Sequence, residues 1–533
     1  MNITTLSFVL FFIIVFIAYY LLPRKHQWVL LLISSVFFYL CAGWQYFVYV
    51  VVTATTVFMA AKAIHIIGVK HKECLKDNKI KLSKDERKKL KAANKRKQKT
   101  ILFITLLLNI GMLCHFKYIH FLIEQINEVL SWFCTFSIDD TFSFILPLGI
   151  SFYTFQAIGY LLDVFWEYTK PEENYLKFLL FVSFFPQMTQ GPISSFEQLS
   201  KELFSEHAFD YKNFSYGFQR MVWGFFKKMV VADTLSPWVS DVFQNHSEYT
   251  GLAVLIGAFL YSIQIYADFS GYMDIMCGLC EMLGIKLSEN FDRPYFSKSI
   301  AEYWRKWHIT MGAWFKKYIY FPIAMSPSNR KLAKSTIKCG KHFSETLPAT
   351  IALTITWLAT GLWHGASWAY IVWGLVNGLF LIVSLWLEPV YNYSKKTLRI
   401  NETGRIWIAF QMIRTFILVT FIKVLPEVGT LYDGFDFLSS IFSNRTLPRS
   451  FGDLLPFVDL SITVYKINFI LAIAGIILMV LFSILQSHKP ARHYFNVLPQ
   501  SLRLIILSIT IILIATFGVQ SSWGSGGFLY AQF

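Results

Sequence analysis

The sequence predicts an all-α, polytopic membrane protein with roughly ten to twelve transmembrane helices and re-entrant segments. Of its 533 residues, 55% are hydrophobic and 15% are charged, whereas soluble domains carry about 25% charged residues. A soluble chain of this length would divide into roughly three domains. Apolar runs recur nearly end to end instead, which indicates a single membrane domain over residues 1–533.

Candidate spans are distributed along the whole chain, since a membrane-spanning helix needs about 20 mostly apolar residues. The first run follows no basic region and precedes no small-residue cleavage site, so we expect a retained helix and not a cleaved signal peptide. The run Gly251–Gly284 is long enough for a tilted or kinked helix, or for two. The other runs are Leu6–Leu22, Trp28–Leu40, Trp44–Ile64, Ile101–Phe116, Phe144–Phe165, Ile351–Trp363, Ala366–Leu387, Ile406–Val424, Ile467–Leu485 and Leu502–Phe517.

Two interruptions predict broken helices. The stretch Phe184–Phe196 carries two prolines and a glycine. Irregular backbone at membrane depth persists only where protein or water covers it, so we expect a broken or re-entrant segment there. A second interruption is expected at His364–Gly365, between two apolar runs.

The formal net charge is +16, but its distribution argues against nucleic-acid binding. Lys70–Lys99 contains fourteen Lys or Arg against four Asp or Glu, which is most of the excess. Lys and Arg accumulate in cytoplasmic loops, so residues 65–100 are predicted to form a basic cytoplasmic loop. Contact of this loop with anionic lipid headgroups is the alternative role. Met325–His342 is a second, smaller basic stretch.

Several kinds of site find no support in the sequence. Cys277 and Cys280 form a C-x-x-C, but they lie in an apolar run without a second pair. Structural zinc sites usually need four ligands, so we expect no metal. The sequence has no G-x-S-x-G elbow, Walker loop, dinucleotide fingerprint or H-E-x-x-H, which argues against familiar hydrolases and nucleotide-driven pumps.

The first candidate site is the segment 301–322, which is rich in aromatic and basic residues. On a continuous helix, Trp304, His308 and Met311 would share one face. With Arg305 beside them, they could orient or polarise an anionic acyl donor such as a phosphorylated thioester carrier. An interfacial aromatic belt with basic anchors is the alternative interpretation.

The second candidate is His364, which stands between two apolar runs among small residues that allow close backbone approach. Placing an ionisable side chain inside a membrane costs a free energy of roughly 2.5–3.5 kcal/mol or more. Such a residue therefore suggests a functional role. A neutral imidazole could deprotonate an attacking hydroxyl or form an acyl-imidazole itself. A hydrogen-bonded histidine inside a helix bundle is the alternative. The small residues are Gly361, Gly365, Ala366 and Ser367.

Two carboxylates in the apolar 251–284 run form a third group. Asp268 and Asp274 could tune a histidine, or they could pair with Arg293 or Arg305. A structural ion pair is the commoner outcome for such residues, because a charge inside the membrane is expensive without a partner.

Five longer motifs carry a family resemblance. They are LPLGISFYTFQAIGYLLDVF (Leu146–Phe165), FFPQMTQGPI (Phe184–Ile193), QIYADFSGYMDI (Gln264–Ile275), NFDRPYFSKSIAEYWRKWHITMGAWFKKYIYFPI (Asn290–Ile323) and TGLWHGASWAYIVWGLVNG (Thr360–Gly378). In these motifs and their order the chain resembles the membrane-bound O-acyltransferase (MBOAT) family, and most closely its AlgI-like branch of bacterial polysaccharide O-acetyltransferases. The resemblance covers nearly the whole chain.

The resemblance implies an MBOAT fold with a central cavity joining the two membrane faces, in a bacterial cytoplasmic membrane. It implies that His364 is the signature catalytic histidine and that His308 is the second family histidine. Supporting or donor-binding roles then fall to Trp304, Arg305, Trp307, Asp268 and Asp274.

The resemblance also implies a cytoplasmic thioester donor, acetyl-CoA or another acyl thioester, used as a substrate with no bound cofactor. Members of this branch often hand the acyl group to an SGNH-type partner enzyme. We therefore expect an O-acetyltransferase that passes an acetyl group across the membrane to a cell-surface polysaccharide, directly or through such a partner. D-alanyl transfer to teichoic acid, lipid acylation and non-enzymatic transport of acyl groups or glycan are the alternatives.

The final residues add one more candidate. GGFLYAQF, Gly526–Phe533, looks like the aromatic tail of this branch, and related systems suggest that Tyr530 relays the acyl group. An interfacial aromatic anchor is the alternative role for the tail, residues 521–533. The stretches Lys70–Lys99 and Met325–Thr346 look long and basic for the branch, which leaves the cytoplasmic partner open.

Overall fold

The computed structural model describes residues 2–76, 83–140, 147–444, 446, 455 and 463–518. Within these ranges nine helices are long and apolar enough to cross a membrane, and three shorter apolar helices accompany them. The β pairing among the described residues is one antiparallel bridge, between Phe291 and Trp307. The predicted all-α polytopic membrane fold is therefore confirmed. By its internal contacts the chain divides into two compact units.

The first unit comprises the described residues up to Tyr211 together with Leu283–Leu287. Short 3-10 helices lie at Arg24–His26 and Phe185–Gln187. The α-helices of this unit are Leu6–Leu21, Gln27–Ala42, Trp44–Lys76, Lys84–Ser131, Ile150–Phe165, Tyr175–Ser183 and Phe196–Leu203.

The basic segment 65–100, predicted as a loop, is mostly helical. The Trp44–Lys76 helix runs into it, and the Lys84–Ser131 helix begins within it. The Ser83 hydroxyl accepts from the Glu86 N–H at 3.2 Å, and the Glu86 carboxylate accepts from the Ser83 N–H at 2.8 Å. This capping box starts the second helix. The correction concerns the conformation of the segment, while its cytoplasmic side stays a prediction.

The predicted break at Phe184–Phe196 is confirmed. The Tyr175–Ser183 helix stops before a 3-10 turn that contains Pro186, and regular helix resumes at Phe196. Buried side chains support the irregular backbone, because the Gln187 amide donates to the Ser194 hydroxyl at 2.6 Å. The requirement that protein cover such backbone at membrane depth is met.

The second unit comprises Lys212–Met282 and the described residues from Ser288 onward. Two π-helical stretches, Phe226–Ala232 and Lys316–Tyr320, interrupt its helices, and 3-10 turns lie at His246–Glu248, Pro294–Phe296 and Ile337–Cys339. The α-helices are Tyr211–Phe225, Asp233–Gln244, Gly251–Met282, Ile300–Lys306, Ile309–Phe315, Phe321–Ala324, Pro327–Ser335, Lys341–His364, Trp368–Trp386, Glu388–Thr397, Arg405–Val424, Leu431–Ser443, Thr463–Leu485, Ala491–Val497 and Gln500–Phe517.

The helix Gly251–Met282 lies at the centre of this unit. In the most apolar 18-residue stretch of this helix 67% of the residues are buried, whereas none are buried in the corresponding stretch of Gln500–Phe517, at the periphery. Glycines let the helix Tyr211–Phe225 approach the helix Gly251–Met282 closely. A side chain at position 217 would collide with the backbone at Gly278, and one at position 224 would lie 2.6 Å from the Gly271 carbonyl oxygen. Small residues at such contacts are typical of membrane helix packing.

The helices Lys341–His364 and Trp368–Trp386 form a tight hairpin. A side chain at Gly374 would lie 2.5 Å from the Trp357 carbonyl oxygen, and one at Gly361 would lie equally close to the Tyr370 carbonyl oxygen. Ser367 caps the N-terminus of the second helix, because its hydroxyl accepts a hydrogen bond from the Tyr370 N–H. This hairpin confirms the interruption predicted after His364.

Candidate active site

His364 is the last residue of its helix and is 5% exposed. Its Nδ1 lies 2.8 Å from the Thr360 carbonyl oxygen, one turn earlier. A carbonyl oxygen can only accept, so Nδ1 carries the hydrogen in this bond. In the neutral ring Nε2 then holds the lone pair, and this is the nitrogen that can act as a base or nucleophile.

Aromatic rings enclose His364. Its ring centroid lies 4.9 Å from that of Trp363 and 4.6 Å from that of Trp373. These indoles restrict water around the imidazole, and a water-poor site strengthens the electrostatic interactions made there.

His308 is fully buried and breaks the helix that the sequence predicts through it. The Ile300–Lys306 helix ends just before it, and the Ile309–Phe315 helix starts just after it. His308 has a φ of 47°, in the left-handed region. The expectation that Trp304, His308 and Met311 share one continuous helix face is therefore wrong.

A polar clamp holds this break. The Ile309 N–H donates to the Asn290 carbonyl at 3.0 Å, and the Asn290 side-chain oxygen accepts from the N–H and the hydroxyl of Thr310 at 3.0 and 2.7 Å. Phe291 bridges to Trp307 on the other side of His308. A left-handed backbone is costly for a residue with a side chain, and these contacts stabilise it.

Trp363 lies next to both histidines. Its ring centroid is 6.2 Å from that of His308 and 4.9 Å from that of His364. Burial, and to a lesser degree the charge of His364, lowers the pKa of His308, which favours its neutral imidazole. Phe269, from the central helix, packs edge-on at 4.9 Å from His308. The structure thus brings the two predicted histidines into one aromatic enclosure.

Trp304 belongs to the wall of this enclosure. Its indole N–H donates to the Asn377 side-chain oxygen at 3.0 Å, and its ring lies 5.6 Å from Trp373. Trp373 in turn touches His364. Trp304 is therefore tied to the second helix of the hairpin, one ring away from His364.

The Trp307 ring contacts the ammonium of Lys423, a residue that was not predicted from the sequence. The Lys423 ammonium lies 3.5 Å from the centroid of the Trp307 ring and 3.0 Å from the Tyr295 hydroxyl. Lys423 is 7% exposed. It lies near the end of the apolar run 406–424. A charged side chain at membrane depth has a high energetic cost, and this is the signal that could have identified Lys423 from the sequence.

The two central-helix carboxylates pair with residues other than those expected. Asp268 lies 2.6 Å from the Lys228 ammonium, and Asp274 lies 2.7 Å from that of Lys227 and 2.8 Å from Arg220. The expected pairing with Arg293 or Arg305 is wrong. Both lysines lie on the buried π-helical stretch Phe226–Ala232, whose inward direction the sequence did not indicate.

An open cavity of about 120 Å³ lies beside the clamp of His308. It reaches Asn290 and Phe291, and its wall carries the cations Arg220, Lys227 and Arg293 as well as two carboxylates, Asp274 and Glu289. The cavity is therefore a polar space that ends at the segment positioning His308.

Arg305 is exposed on its helix, and Tyr530, with the tail 521–533, falls outside the described residues. Cys277 and Cys280 are buried free thiols. In the part of the chain that the structure describes, no three metal-ligating side chains come together.

Comparison with known proteins gives the family of the chain. A model of the membrane-bound O-acyltransferase family matches residues 172–424. A Pseudomonas aeruginosa protein named probable alginate O-acetylase AlgI is 31% identical over 440 residues, which are 82% of this chain and 74% of that protein. The chain belongs to the membrane-bound O-acyltransferase family. Both histidines and Lys423 of this acyltransferase lie inside the matched family region.

More distant relatives differ in what their names say they transfer. The peptidoglycan O-acetyltransferase of Helicobacter pylori is 31% identical over 308 residues, which are 53% of this chain and 54% of that protein. The teichoic acid D-alanyltransferase of Streptococcus thermophilus is 27% identical over 270 residues, which are 49% of this chain and 62% of that protein.

Proposed function

We propose that this acyltransferase moves an acetyl group from a cytoplasmic thioester, acetyl-CoA, to a hydroxyl of a cell-surface polysaccharide. The observation that carries the proposal is the enclosure of His308 and His364 by shared aromatic rings, with Nδ1 of His364 committed to the Thr360 carbonyl. The names of two relatives, an alginate O-acetylase and a peptidoglycan O-acetyltransferase, support acetyl as the group transferred.

The proposed chemistry is base-catalysed acyl transfer. Nε2 of His364 removes the proton of the attacking hydroxyl as its oxygen bonds to the acyl carbon. The carbon–sulfur bond of the thioester then breaks, and the proton passes from His364 to the leaving thiolate. The products are an ester and a free thiol, and no other reactant is required.

His308 is proposed to position and polarise the acyl group. Its place beside Trp363 allows one substrate carbonyl to lie near both imidazoles. Because the two rings disfavour double protonation, one neutral base and one hydrogen-bond donor form a compatible pair. Trp304 and Trp307 are proposed to line the donor side, while Asp268 and Asp274 act through the lysines that they hold.

The donor is proposed to approach through the polar cavity beside Asn290. Its wall carries one more cation than carboxylates, since Asp274 and Glu289 pair with Arg220 and Lys227, and this excess positive charge suits the phosphates of a coenzyme thioester. Arg305, exposed on its helix, could meet the donor earlier. The excess of Lys and Arg in the segment 65–100 supports a cytoplasmic position for that segment.

The acceptor side is proposed to lie outside a bacterial cytoplasmic membrane, as the bacterial relatives suggest. There the acetyl group passes to the glycan directly or through an SGNH-type partner enzyme. Tyr530 is the proposed relay on this route, with the tail 521–533 as its carrier.

The test uses the full chain purified into proteoliposomes with radiolabelled acetyl-CoA and a polysaccharide acceptor. Wild-type protein should form O-acetyl esters and release one thiol for each ester, while His364→Ala should lose about 10²–10⁴-fold in rate. His342→Ala is the matched control, because His342 starts the same helix and contacts the Trp386 carbonyl. Wild-type rates in His364→Ala would refute the assignment of the base.

D-alanyl transfer remains the second candidate, since a teichoic acid D-alanyltransferase is among the relatives of this chain. Supplying a D-alanyl carrier-protein thioester in the same proteoliposomes separates the two donors. A transporter without chemistry of its own would move label across the membrane at equal rates in wild type and His364→Ala.

A further inference from the structure

Lys423 contacts three aromatic residues of the segment that leads into His308. Its ammonium lies 3.5 Å from the Trp307 ring centroid, 5.3 Å from that of Tyr303 and 3.0 Å from the Tyr295 hydroxyl. Tyr295 itself donates to the Ser262 carbonyl of the central helix. A desolvated cation is attracted strongly to the face of a tryptophan ring, so Lys423 fixes Trp307, the residue directly before His308.

Glu427, one turn further along the chain, contacts the other histidine segment. Its carboxylate accepts from the Tyr370 hydroxyl at 3.2 Å and from Tyr261. The Tyr370 ring packs so tightly over Gly365 that any side chain at position 365 would collide with it. Glu427 therefore holds Tyr370 against the residue directly after His364.

The charges of Lys423 and Glu427 also interact with each other. Contacts therefore join Lys423 to Trp307 and Glu427 to Tyr370, and the electrostatic attraction between Lys423 and Glu427 couples the two. Trp307 directly precedes His308, and Tyr370 packs over the residue directly after His364. The helix Arg405–Val424 and the turn after it thus connect two segments that come from different parts of the unit.

We propose that Lys423 and Glu427 are a positioning pair that sets the spacing between His308 and His364. The inference rests on the proposed acyl transfer, in which both imidazoles act on one acyl group. Neither residue is assigned a chemical step. Local contacts hold each histidine by itself, with Asn290 clamping one and Thr360 bonding the other. The pair adds the connection between them, and a misplacement of about 1 Å can cost roughly 10²-fold in rate.

The experiment compares Lys423→Met, Glu427→Gln and the double variant in proteoliposomes with acetyl-CoA. Each single variant should lower kcat about 30- to 100-fold while KM for the donor stays within about threefold. The double variant should lose no more than the worse single variant, because the residues act as one unit. Lys423→Arg keeps the cation over Trp307 and should restore part of kcat. The matched control is Lys395→Met/Glu402→Gln, an ion pair at 2.9 Å on the surface of the same unit.

A second measurement is independent of turnover. Diethyl pyrocarbonate modifies accessible imidazoles, and mass spectrometry reports the rate at each histidine. Modification of His308 and His364 should become faster in Lys423→Met and in Glu427→Gln, while the rate at His342 stays constant.

The outcomes separate the two proposals. If wild type transfers acetyl, His364→Ala does not, and both single variants match wild type in kcat and in modification rates, the positioning role is wrong. If wild type and His364→Ala are equally inactive, the proposed function fails, and the modification rates alone decide the positioning role. If the losses in kcat of the two single variants add fully in the double variant, the positioning role is also wrong. Should Lys423→Met fail to fold, Glu427→Gln still tests the proposal.

Discussion

One oxygen, Asn290 Oδ1, accepts from both the N–H and the hydroxyl of Thr310, at 3.0 and 2.7 Å. Thr310 lies two residues after His308, so this oxygen anchors the turn on which the imidazole stands. Both residues are buried, and no water can replace a lost partner cheaply.

Replacing Asn290 with Ala should therefore affect both stability and rate. Two buried donors of Thr310 would lose their acceptor, at a cost of about 1–3 kcal/mol, and acetyl transfer should fall about 10- to 100-fold. Thermal unfolding in detergent and ester formation provide the measurements. Asn401→Ala is the control, because Asn401 accepts the same two bonds from Thr403 at the surface. Equal effects of the two substitutions would contradict the role of burial.

The left-handed backbone at His308 makes a prediction about substitutions there. Gly adopts a φ of 47° without steric cost, whereas Ala pays about 1 kcal/mol or more. His308→Gly should therefore unfold at a higher temperature than His308→Ala, with His308→Asn between them, although all three should lose activity. A more stable His308→Ala would show that the turn relaxes once the imidazole is removed.

Lys228 should be essential for folding. Its ammonium lies 2.7 Å from Asp233 and 2.6 Å from Asp268, and all three residues are buried. Lys228→Met would leave two buried carboxylates without this cation, a loss of about 3–5 kcal/mol. Lys228→Met with Asp233→Asn and Asp268→Asn should recover most of that loss.

The control for Lys228 is Lys201→Met, which breaks the exposed pair with Glu197 and should change stability by less than about 1 kcal/mol. Yield of folded protein and thermal unfolding in detergent measure both. Comparable losses from the two substitutions would refute the importance of the buried cluster.

Burial raises the pKa of Glu427 to about 7, above its ordinary value of 4.5. A group with a raised folded-state pKa stabilises fully below its unfolded pKa, and this stabilisation disappears as the pH rises through the folded pKa. Glu427→Gln removes this titration. Its stability relative to wild type should therefore rise between about pH 5 and pH 8, by at most roughly 3 kcal/mol.

This gain should accompany a loss of acetyl transfer, because the electrostatic coupling with Lys423 disappears. A residue with a purely structural role would show the reverse, with lower stability at every pH. Thermal unfolding at several pH values, measured beside the kinetics, separates the two. The groups that face Glu427 are Lys423, Tyr261 and Tyr370.

Tyr530 is predicted to act as an acyl relay. Tyr530→Phe removes the hydroxyl while keeping an aromatic anchor, so the protein should insert normally and glycan acetylation should cease. The measurements are the membrane content of the protein and the O-acetyl content of the surface polymer. Normal acetylation in Tyr530→Phe would rule out the relay.

The sequence predicted the components of the site better than its geometry. His364 was found because few polar residues occur in apolar runs, and His308 because it stands among aromatic and basic residues. The interruption at His364–Gly365 follows from its small residues. The helix break at His308 was missed, since its cause is a long-range contact with Asn290. Such a contact leaves no local pattern, because no proline or glycine lies between Tyr295 and Met311 to mark the break.

The partners of the central carboxylates were missed for a similar reason. Asp268 and Asp274 were expected to meet arginines later in the chain, but Lys227 and Lys228 occupy that role. Adjacent lysines suggest a solvated face in a regular helix, because neighbours point about 100° apart. The π-helical stretch Phe226–Ala232 contains both, and both are buried.

The glycine contacts between helices Tyr211–Phe225 and Gly251–Met282 restrict how this unit can move. Gly217 meets Gly278 and Gly224 meets Gly271, so the backbones touch at two points about 10 Å apart along the axes. Sliding one helix past the other would drive side chains into backbone at both points. We expect the two helices to move as one rigid body through any reaction cycle, so that substrate entry and product release depend on displacements of other segments.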